Sequence, residues 1–413
     1  MSEQQSVVVV GAGHAGVQLA ASLREHGSTR PITLIEPDPE LPYQRPPLSK
    51  EFLCGAEASG SPLRPLEFYR EQSIELRCGW ADSIDRAART VRLRDGEVVE
   101  YGHLVLATGA RNRLLRVPGA DAPGVHPLRS LADARVLRRA LADAERVVVI
   151  GGGFIGLEVA AAASKLGCEA TVVETAGRVM SRAVSAPTSE SLTRLHRRAG
   201  VVVLTGRSVQ GFTVDATGGV SGVELDDREI LPADLVVVGV GVVPNVELAR
   251  DSGLEVANGI VVDETLLTAD RRISAIGDCA AFPDGGPLPL MRLESVQNAL
   301  DQARFVAARL SGDTGAYAAV PWFWTAQFSA KLQIAGIAHT EGEVVVLGDP
   351  DAAFSALRFE EGVLAAVESV NRPGDHMAAR RILGSGVLPR IEEARANGFS
   401  LKGFLAGSRA PVI

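Results

Sequence analysis

Two glycine runs carry the most legible chemistry in this chain of 413 residues. The first, Gly11-Ala12-Gly13-His14-Ala15-Gly16, follows the apolar run Val7–Val10, and an acid, Glu36, closes the next apolar run, Thr33-Leu34-Ile35. These types in this order suit a dinucleotide. Gly11 permits a tight turn out of a strand, Gly13 lets the backbone approach a pyrophosphate, and Gly16 lets the next helix pack close to the sheet. The free N–H groups and positive dipole end of that helix suit the phosphates. Glu36 stands twenty residues past Gly16, where a carboxylate at a strand end accepts from ribose hydroxyls. The second run, Gly151-Gly152-Gly153-Phe154-Ile155-Gly156, repeats the set, with Val147–Ile150 before it and Thr171-Val172-Val173-Glu174 after it. One such motif can arise by chance. Two in full context imply two dinucleotides on one chain.

The elements that must position these residues follow from the hydrophobic pattern. A strand over Val7–Val10, a helix over Val17–His26 and a strand ending at Glu36 form the first set. A strand over Val147–Ile150, a helix over Leu157–Leu166 and a strand ending at Glu174 form the second. Between them, Leu41-Pro42-Tyr43-Gln44-Arg45-Pro46-Pro47-Leu48-Ser49-Lys50 is stiffened by proline, and loops at the carboxyl end of parallel strands are where ligands sit. Residues 51–100 read as a helix and then short antiparallel strands, with a hairpin turn at Arg94–Glu97. A buried strand, His103–Leu106, ends in Ala107-Thr108-Gly109, small residues that let the chain turn tightly against a cofactor. Leu235–Val243, with Gly241, echoes it as one buried strand. A helix spans Leu131–Ala144. The strand before Gly277-Asp278 leaves two readings for that acid: it caps the next helix, or it binds a polyol ahead of a helix over Glu294–Leu310. From Pro321, Trp322-Phe323-Trp324 and the apolar segments Val344–Leu347, Phe354–Phe359 and Val363–Val370 precede a helix over Asp375–Leu383. This texture suggests a separate antiparallel domain.

Composition excludes several classes. At 46% hydrophobic, 22% charged and 5% aromatic, the chain is ordinary globular protein, long enough for two or three domains. A net charge of −8 argues against whole-protein attraction to nucleic acid or anionic membranes. No basic stretch precedes the first apolar run, and no apolar run approaches the roughly 20 residues a bilayer requires, so a cytoplasmic, non-membrane protein is expected. The four cysteines, Cys54, Cys78, Cys168 and Cys279, form no C-x-x-C or C-x-x-x-x-C pair, so neither a disulfide framework nor a redox dithiol is expected. The seven histidines show no ligand spacing, so no metal is expected.

Taken in order, the two glycine motifs, the Ala-Thr-Gly strand and the Gly-Asp strand resemble the glutathione-reductase-type flavoproteins. More narrowly, the chain resembles the single-flavin NADH-dependent ferredoxin reductases of bacterial oxygenase systems. The resemblance is carried by Pro42-Tyr43-x-Arg45-Pro46-Pro47-Leu48-Ser49-Lys50, Gly151 to Glu158, Ile276-Gly277-Asp278, Glu294-Ser295-Val296-x-Asn298-Ala299 and Pro321-Trp322-Phe323-Trp324. It implies an α/β fold with two Rossmann-like dinucleotide-binding domains plus a C-terminal α+β interface domain. FAD would be bound by residues 1–113 and 244–319, NAD by 114–243, and 320–413 would form the interface domain.

Carried over residue by residue, the resemblance puts FAD on Gly11, Gly13, Ala15 and Gly16, with Glu36 on the adenosine ribose. Ala107, Thr108, Gly109 and Gly277 would line the cofactor, Asp278 the ribityl chain, Val296 the flavin ring, and Arg129 the adenine side. Arg45 and Lys50 would approach the pyrophosphate and isoalloxazine. NADH would lie on Gly151, Gly153, Phe154, Ile155, Gly156 and Gly241, with Glu174 on its ribose and Arg182 on its adenosine portion. Lys50 and Glu158 would pair beside the reacting rings, where they tune the flavin and orient the nicotinamide. The implied activity takes a hydride from NADH onto FAD and passes single electrons to a two-iron two-sulfur ferredoxin that feeds a cytochrome monooxygenase or ring-hydroxylating dioxygenase. That ferredoxin would dock near Arg304, Arg380 and Lys402, with Trp324 between flavin and partner, on a monomer or weak homodimer. Three rivals share the architecture: an NADH oxidase or disulfide reductase, a monodehydroascorbate reductase, and a signalling flavoprotein like apoptosis-inducing factor. The first places a redox cysteine near the flavin, and the segment after Glu36 has none before Cys54.

Overall fold

The run Val7–Val10 is apolar on both faces because its strand lies in the middle of a parallel sheet. The computed structural model describes residues 6–55, 60–283, 290–340 and 342–407. In the first sheet the strand order is Ile273–Ala275, His103–Leu106, Val7–Val10, Ile32–Glu36, Ile74–Cys78. Val10 stands opposite both Ile35 and Leu106, so the first glycine turn, Glu36 and Ala107 all emerge at one edge of the sheet. Topology of this kind gathers short motifs from distant parts of the chain at the strands' carboxyl ends.

The chain forms two compact units, one from Met1–Gln44, Gly60–Arg111 and Val242–Ala319, the other from Arg45–Ser59, Asn112–Gly241 and Val320–Ile413. The second unit repeats the plan of the first. Its parallel sheet runs Val202–Thr205, Glu169–Glu174, Arg146–Ile150, Leu235–Val238, Val125–Pro127. Again the central strand has the acid-ending strand on one side and a small-residue turn on the other. The same unit holds a five-stranded antiparallel sheet ordered Trp322–Gln327, Ala330–Gly336, Val363–Val370, Ala353–Glu360, Glu343–Asp349. The helix Pro373–Ser385 packs on this sheet through Ala379 and Ile382 against Leu357, Phe359, Leu364 and Val367. The helix Ala186–Arg198 is fastened to it as well. Ser185 N–H donates to Glu368 at 2.8 Å, the Ser191 hydroxyl to Pro350 O at 2.7 Å, and Arg194 Nε to Asp351 at 3.0 Å.

Several expected bounds shift for physical reasons. The two motif helices begin at His14 and Phe154, three residues before the periodic pattern suggests, with Gly13 and Gly153 as extended N-caps. Gly16 and Gly156 therefore lie inside the helices, where a Cβ would run into the carbonyl oxygens of Gly11 and Gly151. Leu235–Val243 is not one strand. It breaks at Gly241 (φ +95°) into Leu235–Val238 and Val242–Pro244. Residues 74–78, read among antiparallel strands, instead form the parallel edge beside Ile32–Glu36. The antiparallel hairpin at Arg94–Glu97 is present, between Thr90–Leu93 and Val98–Glu100. The helix after Asp278 starts at Val296, capped by the Ser295 side chain, so Asp278 is not its cap.

Candidate functional site

In the first unit, Ala12 N–H donates to Glu36 Oε2 at 2.8 Å, so the acid at the strand end clasps the glycine turn. The three motif glycines answer to different constraints. Gly11 (φ +106°) is pressed against the Ala107 carbonyl, and Gly16 against that of Gly11, so neither accepts a side chain. A Cβ on Gly13 would meet nothing within 4 Å, and Gly13 caps its helix without a side-chain bond. The protein's own packing therefore does not require glycine there. Thr108 is held by Asn245: the Thr108 hydroxyl donates to Asn245 O at 2.7 Å, and Asn245 Nδ2 donates to Thr108 O at 2.9 Å. Gly109 and Gly277 both have positive φ (+64° and +76°). A Cβ on Gly277 would lie 3.3 Å from Ala15 and 3.7 Å from Ala299, so small residues from three segments meet at one spot. Gly277 N–H donates to Gln302 Oε1 at 2.7 Å. Asp278 is half-buried, and its carbonyl accepts from Arg292 at 3.0 Å. Val296 is the first residue of the next helix.

The second unit reproduces the clasp. Gly152 N–H donates to Glu174 Oε2 at 2.7 Å, and Ala176 N–H to the other oxygen at 2.8 Å. Gly151 is pressed against the Gly239 carbonyl as Gly11 is against Ala107, which explains why the Leu235 strand echoes the Ala-Thr-Gly strand. Gly153, like Gly13, faces open space. Phe154, Ile155 and Gly156 form the first helical turn, with Ile155 exposed. The Arg182 guanidinium borders Gly241, with Nη2 3.6 Å from where a Cβ would stand. Arg178 is occupied elsewhere, donating to Val184 O at 2.6 Å and Ser181 O at 3.1 Å.

Lys50 and Glu158 do meet, within this same unit. Lys50 Nζ lies 2.8 Å from Glu158 Oε2. Glu158 is buried, and two further groups donate to it: the hydroxyl of Ser49 at 2.5 Å and that of Thr325 at 2.6 Å. A buried carboxylate is tolerable only with such partners. Arg45 donates to the Arg129 carbonyl at 2.8 Å. Thr325, Asn245 and Gln302 are members of these arrangements that motif reading missed, and Ser49 is one that stood in a motif without a role.

The described residues hold no disulfide. All four cysteines are free, and burial pushes the Cys279 thiol up, away from the thiolate that redox chemistry needs. Of the residues expected at a docking face, Lys402 is exposed, while the Arg380 guanidinium stacks on Trp322 at 4.8 Å. Trp324, partly exposed, lies 5.5 Å from Trp322 between ring centres. In the other unit, Arg304 is paired with Asp301 at 3.1 Å.

Two parallel sheets, each ending in a glycine turn clasped by an acid, define an α/β protein that binds two dinucleotides. The sequence profile of the pyridine nucleotide-disulphide oxidoreductases matches residues 5–303, and that of the reductase C-terminal domain matches 322–405. Rhodocoxin reductase of Rhodococcus erythropolis is 49% identical over 400 residues, covering 96% of this chain and 93% of that protein. The solved ferredoxin reductase of Rhodopseudomonas palustris superposes with a TM-score of 0.94 at 47% identity, over 97% of this chain and 100% of that one. The reductase in a covalent putidaredoxin reductase–putidaredoxin complex gives 0.94 at 39% identity, over 99% and 100%. The chain belongs to the pyridine nucleotide-disulphide oxidoreductase family, with a reductase C-terminal domain. It is an oxidoreductase of the glutathione-reductase-like α/β fold, and its cofactors are FAD and NAD(H). Among the described residues, no helix is long and apolar enough to cross a membrane.

Proposed function

We propose that this chain is an NADH-dependent ferredoxin reductase of the cytoplasm that supplies a terminal oxygenase with electrons through a two-iron two-sulfur ferredoxin. The observation that carries this reading is the doubled acid–glycine clasp, Glu36 on Ala12 and Glu174 on Gly152, in a chain whose thiols are all unpaired. Two nucleotide sites without a redox dithiol favour an electron-transfer partner over a disulfide substrate. The relatives support the same reading, since rhodocoxin reductase and the reductase complexed with putidaredoxin match this chain over nearly its whole length.

FAD, when bound, supplies the chemistry that the side chains lack: it accepts two electrons as a hydride and gives them up singly. The residues proposed to hold it are Gly11, Gly13, Ala15, Gly16, Glu36, Thr108, Gly277, Asp278 and Val296. Gly151, Gly153, Phe154, Ile155, Gly156, Glu174, Arg182 and Gly241 are proposed for NADH. Lys50 and Glu158 are proposed to orient the nicotinamide; Ser49 and Thr325 fix the Glu158 carboxylate from two sides. No general base is required, because the transferred hydrogen leaves with its electron pair. Residues 1–113 with 244–319, 114–243 and 320–413 are proposed as the FAD, NAD and interface domains, working as a monomer or weak homodimer.

The test is NADH-driven reduction of cytochrome c with and without two-iron ferredoxins. The proposal expects turnover that depends on added ferredoxin. Equal rates without it, together with rapid consumption of peroxide or a disulfide, would assign the chain to another branch of the family.

A further inference from the structure

The hydrogen bonds around Glu158 do not stop at its immediate partners. Lys50 and Ser49 satisfy Oε2, and Thr325 Oγ1 stands 2.6 Å from Oε1. Behind Thr325, Gln327 Nε2 lies 3.2 Å from Thr325 Oγ1, and His196 Nε2 lies 3.0 Å from Gln327 Oε1. Glu158 is 4% exposed, Thr325 and Gln327 1% each, and His196 fully buried. The roles along this row are forced. The carboxylate only accepts, so the Thr325 hydroxyl directs its one proton at Glu158 and offers Gln327 only lone pairs. Gln327 must then turn its NH2 to Thr325 and its carbonyl to His196, which places the His196 proton on Nε2. In agreement, His196 Nδ1 has no hydrogen-bond partner among the described residues. Burial also disfavours the charged imidazole, and Phe328 packs edge-on against it at 5.0 Å.

We infer that His196, acting through Gln327 and Thr325, is a positioning residue for the Glu158 carboxylate in the reaction with NADH. This rests on the reading of Glu158 proposed above. The row joins three elements: the helix Phe154–Lys165 carries Glu158, the helix Ala186–Arg198 carries His196, and the strand Trp322–Gln327 carries the two relays. Thr325 and Gln327, two apart on one strand, share the buried face, while Trp324 and Ala326 alternate with them on the other. With His196 present, one orientation of the Gln327 amide satisfies both neighbours. Without it the amide can turn over, its oxygen draws the Thr325 proton away, and Glu158 Oε1 loses its donor in the interior. The carboxylate then shifts within its site, and groups that orient a reacting ring lose rate steeply with small displacements.

The experiment uses the FAD-loaded protein and the variants Glu158→Gln, Thr325→Val, His196→Leu and His196→Gln. Flavin reduction by NADH is followed by stopped flow, with the NADH Kd, the thermal midpoint and the 15N spectrum of histidine-labelled protein as companion readouts. His196→Leu and Thr325→Val are each expected to slow reduction roughly fivefold to tenfold at saturating NADH, with little change in Kd. His196→Gln keeps an N–H donor and is expected to recover most of the rate. The wild-type spectrum is expected to show a neutral His196 ring carrying its proton on Nε2 near pH 6, where a solvated imidazole is largely charged. Reduction at the wild-type rate in both His196→Leu and Thr325→Val, with Glu158→Gln slow, overturns the inference alone. So does a His196 proton on Nδ1, a readout that needs no variant to fold. Glu158→Gln at the wild-type rate overturns the underlying reading of Glu158, and the inference with it.

Discussion

Glu36 and Glu174 each use one oxygen to hold a backbone N–H of the glycine turn, at 2.8 and 2.7 Å. This clasp fixes the carboxylate before any nucleotide arrives, so its remaining lone pairs are already aimed. At Glu174 the second oxygen also receives Ala176 N–H, which stiffens it further. In the proposed nucleotide sites, a carboxylate so placed would accept from both ribose hydroxyls and repel a 2′-phosphate. Hydrogen bonds to a charged group are worth about 1.5–3 kcal/mol. Glu174→Ala is therefore expected to lower kcat/KM for NADH by tenfold or more and to narrow the NADH/NADPH ratio. Two arginines follow in sequence, but Arg178 is committed to the Ser181 and Val184 carbonyls. Any NADPH activity gained should thus depend on Arg182 and survive Arg178→Ala. An unchanged ratio in Glu174→Ala would take that residue out of the nucleotide site.

Among the elements, the motif helices are where packing and binding separate most cleanly. Gly156 touches the Gly151 carbonyl, whereas a Cβ on Gly153 would find open space. Gly156→Ala should therefore destabilise the protein by about 1–3 kcal/mol, read as a lower thermal or urea midpoint. Gly153→Ala should leave the midpoint nearly unchanged and, on the proposed reading of this turn, weaken NADH binding about tenfold, because the methyl would stand in the path of the pyrophosphate. If both variants bind NADH normally, the second glycine turn is not the nucleotide site.

The junction between the helix Ala186–Arg198 and the antiparallel sheet carries its own pH signature. Glu368 is fully buried there, and burial raises its pKa from the ordinary 4.5; the bonds from Ser185 and Thr188 and the nearby Arg358, at 3.6 Å, oppose the shift without cancelling it. A carboxyl raised on folding keeps a proton that the unfolded chain has released. Its contribution is complete below the ordinary carboxylate range and is lost as pH rises through the raised value. Glu368→Gln, neutral at every pH, should flatten the decline of the thermal midpoint over that window. An identical pH slope in the two proteins would show that Glu368 titrates normally.

For the whole molecule the governing fact is a net charge of −8, which repels an acidic ferredoxin unless basic residues are locally exposed. The three residues proposed for docking are not equivalent. Arg304 is paired with Asp301, and Arg380 stacks on Trp322, while Lys402 is exposed. Lys402→Glu should accordingly reduce kcat/KM for the ferredoxin more than Arg304→Glu does, by several-fold at low ionic strength, with the difference shrinking as salt is added. Flavin reduction by NADH should be unaffected in either variant. Ferredoxin turnover that survives reversal of all three charges at low salt would place the docking face elsewhere.

What the sequence determined by itself is whatever backbone sterics dictate over a short span. Strand, glycine turn, helix and closing acid are local rules, and they located Gly11 to Glu36 and Gly151 to Glu174 without reference to the rest of the chain. Element ends were less legible, because the periodic pattern begins only where the helix turns its apolar face inward, three residues after the backbone is already helical. The edge strand Ile74–Cys78 looked antiparallel because an edge is only partly covered and reads as half-buried. Tertiary structure alone decided the surroundings of Glu158. Ser49 and Thr325 are 109 and 167 residues away from it in sequence, hydroxyls to which no motif gave a role, and His196 reaches it only through Gln327 and Thr325. A hydrogen bond across that separation leaves no periodicity and no spacing in the chain. It exists because two helices and a strand fold against one another and close a polar row inside an apolar interior, where an unpartnered carboxylate is costly.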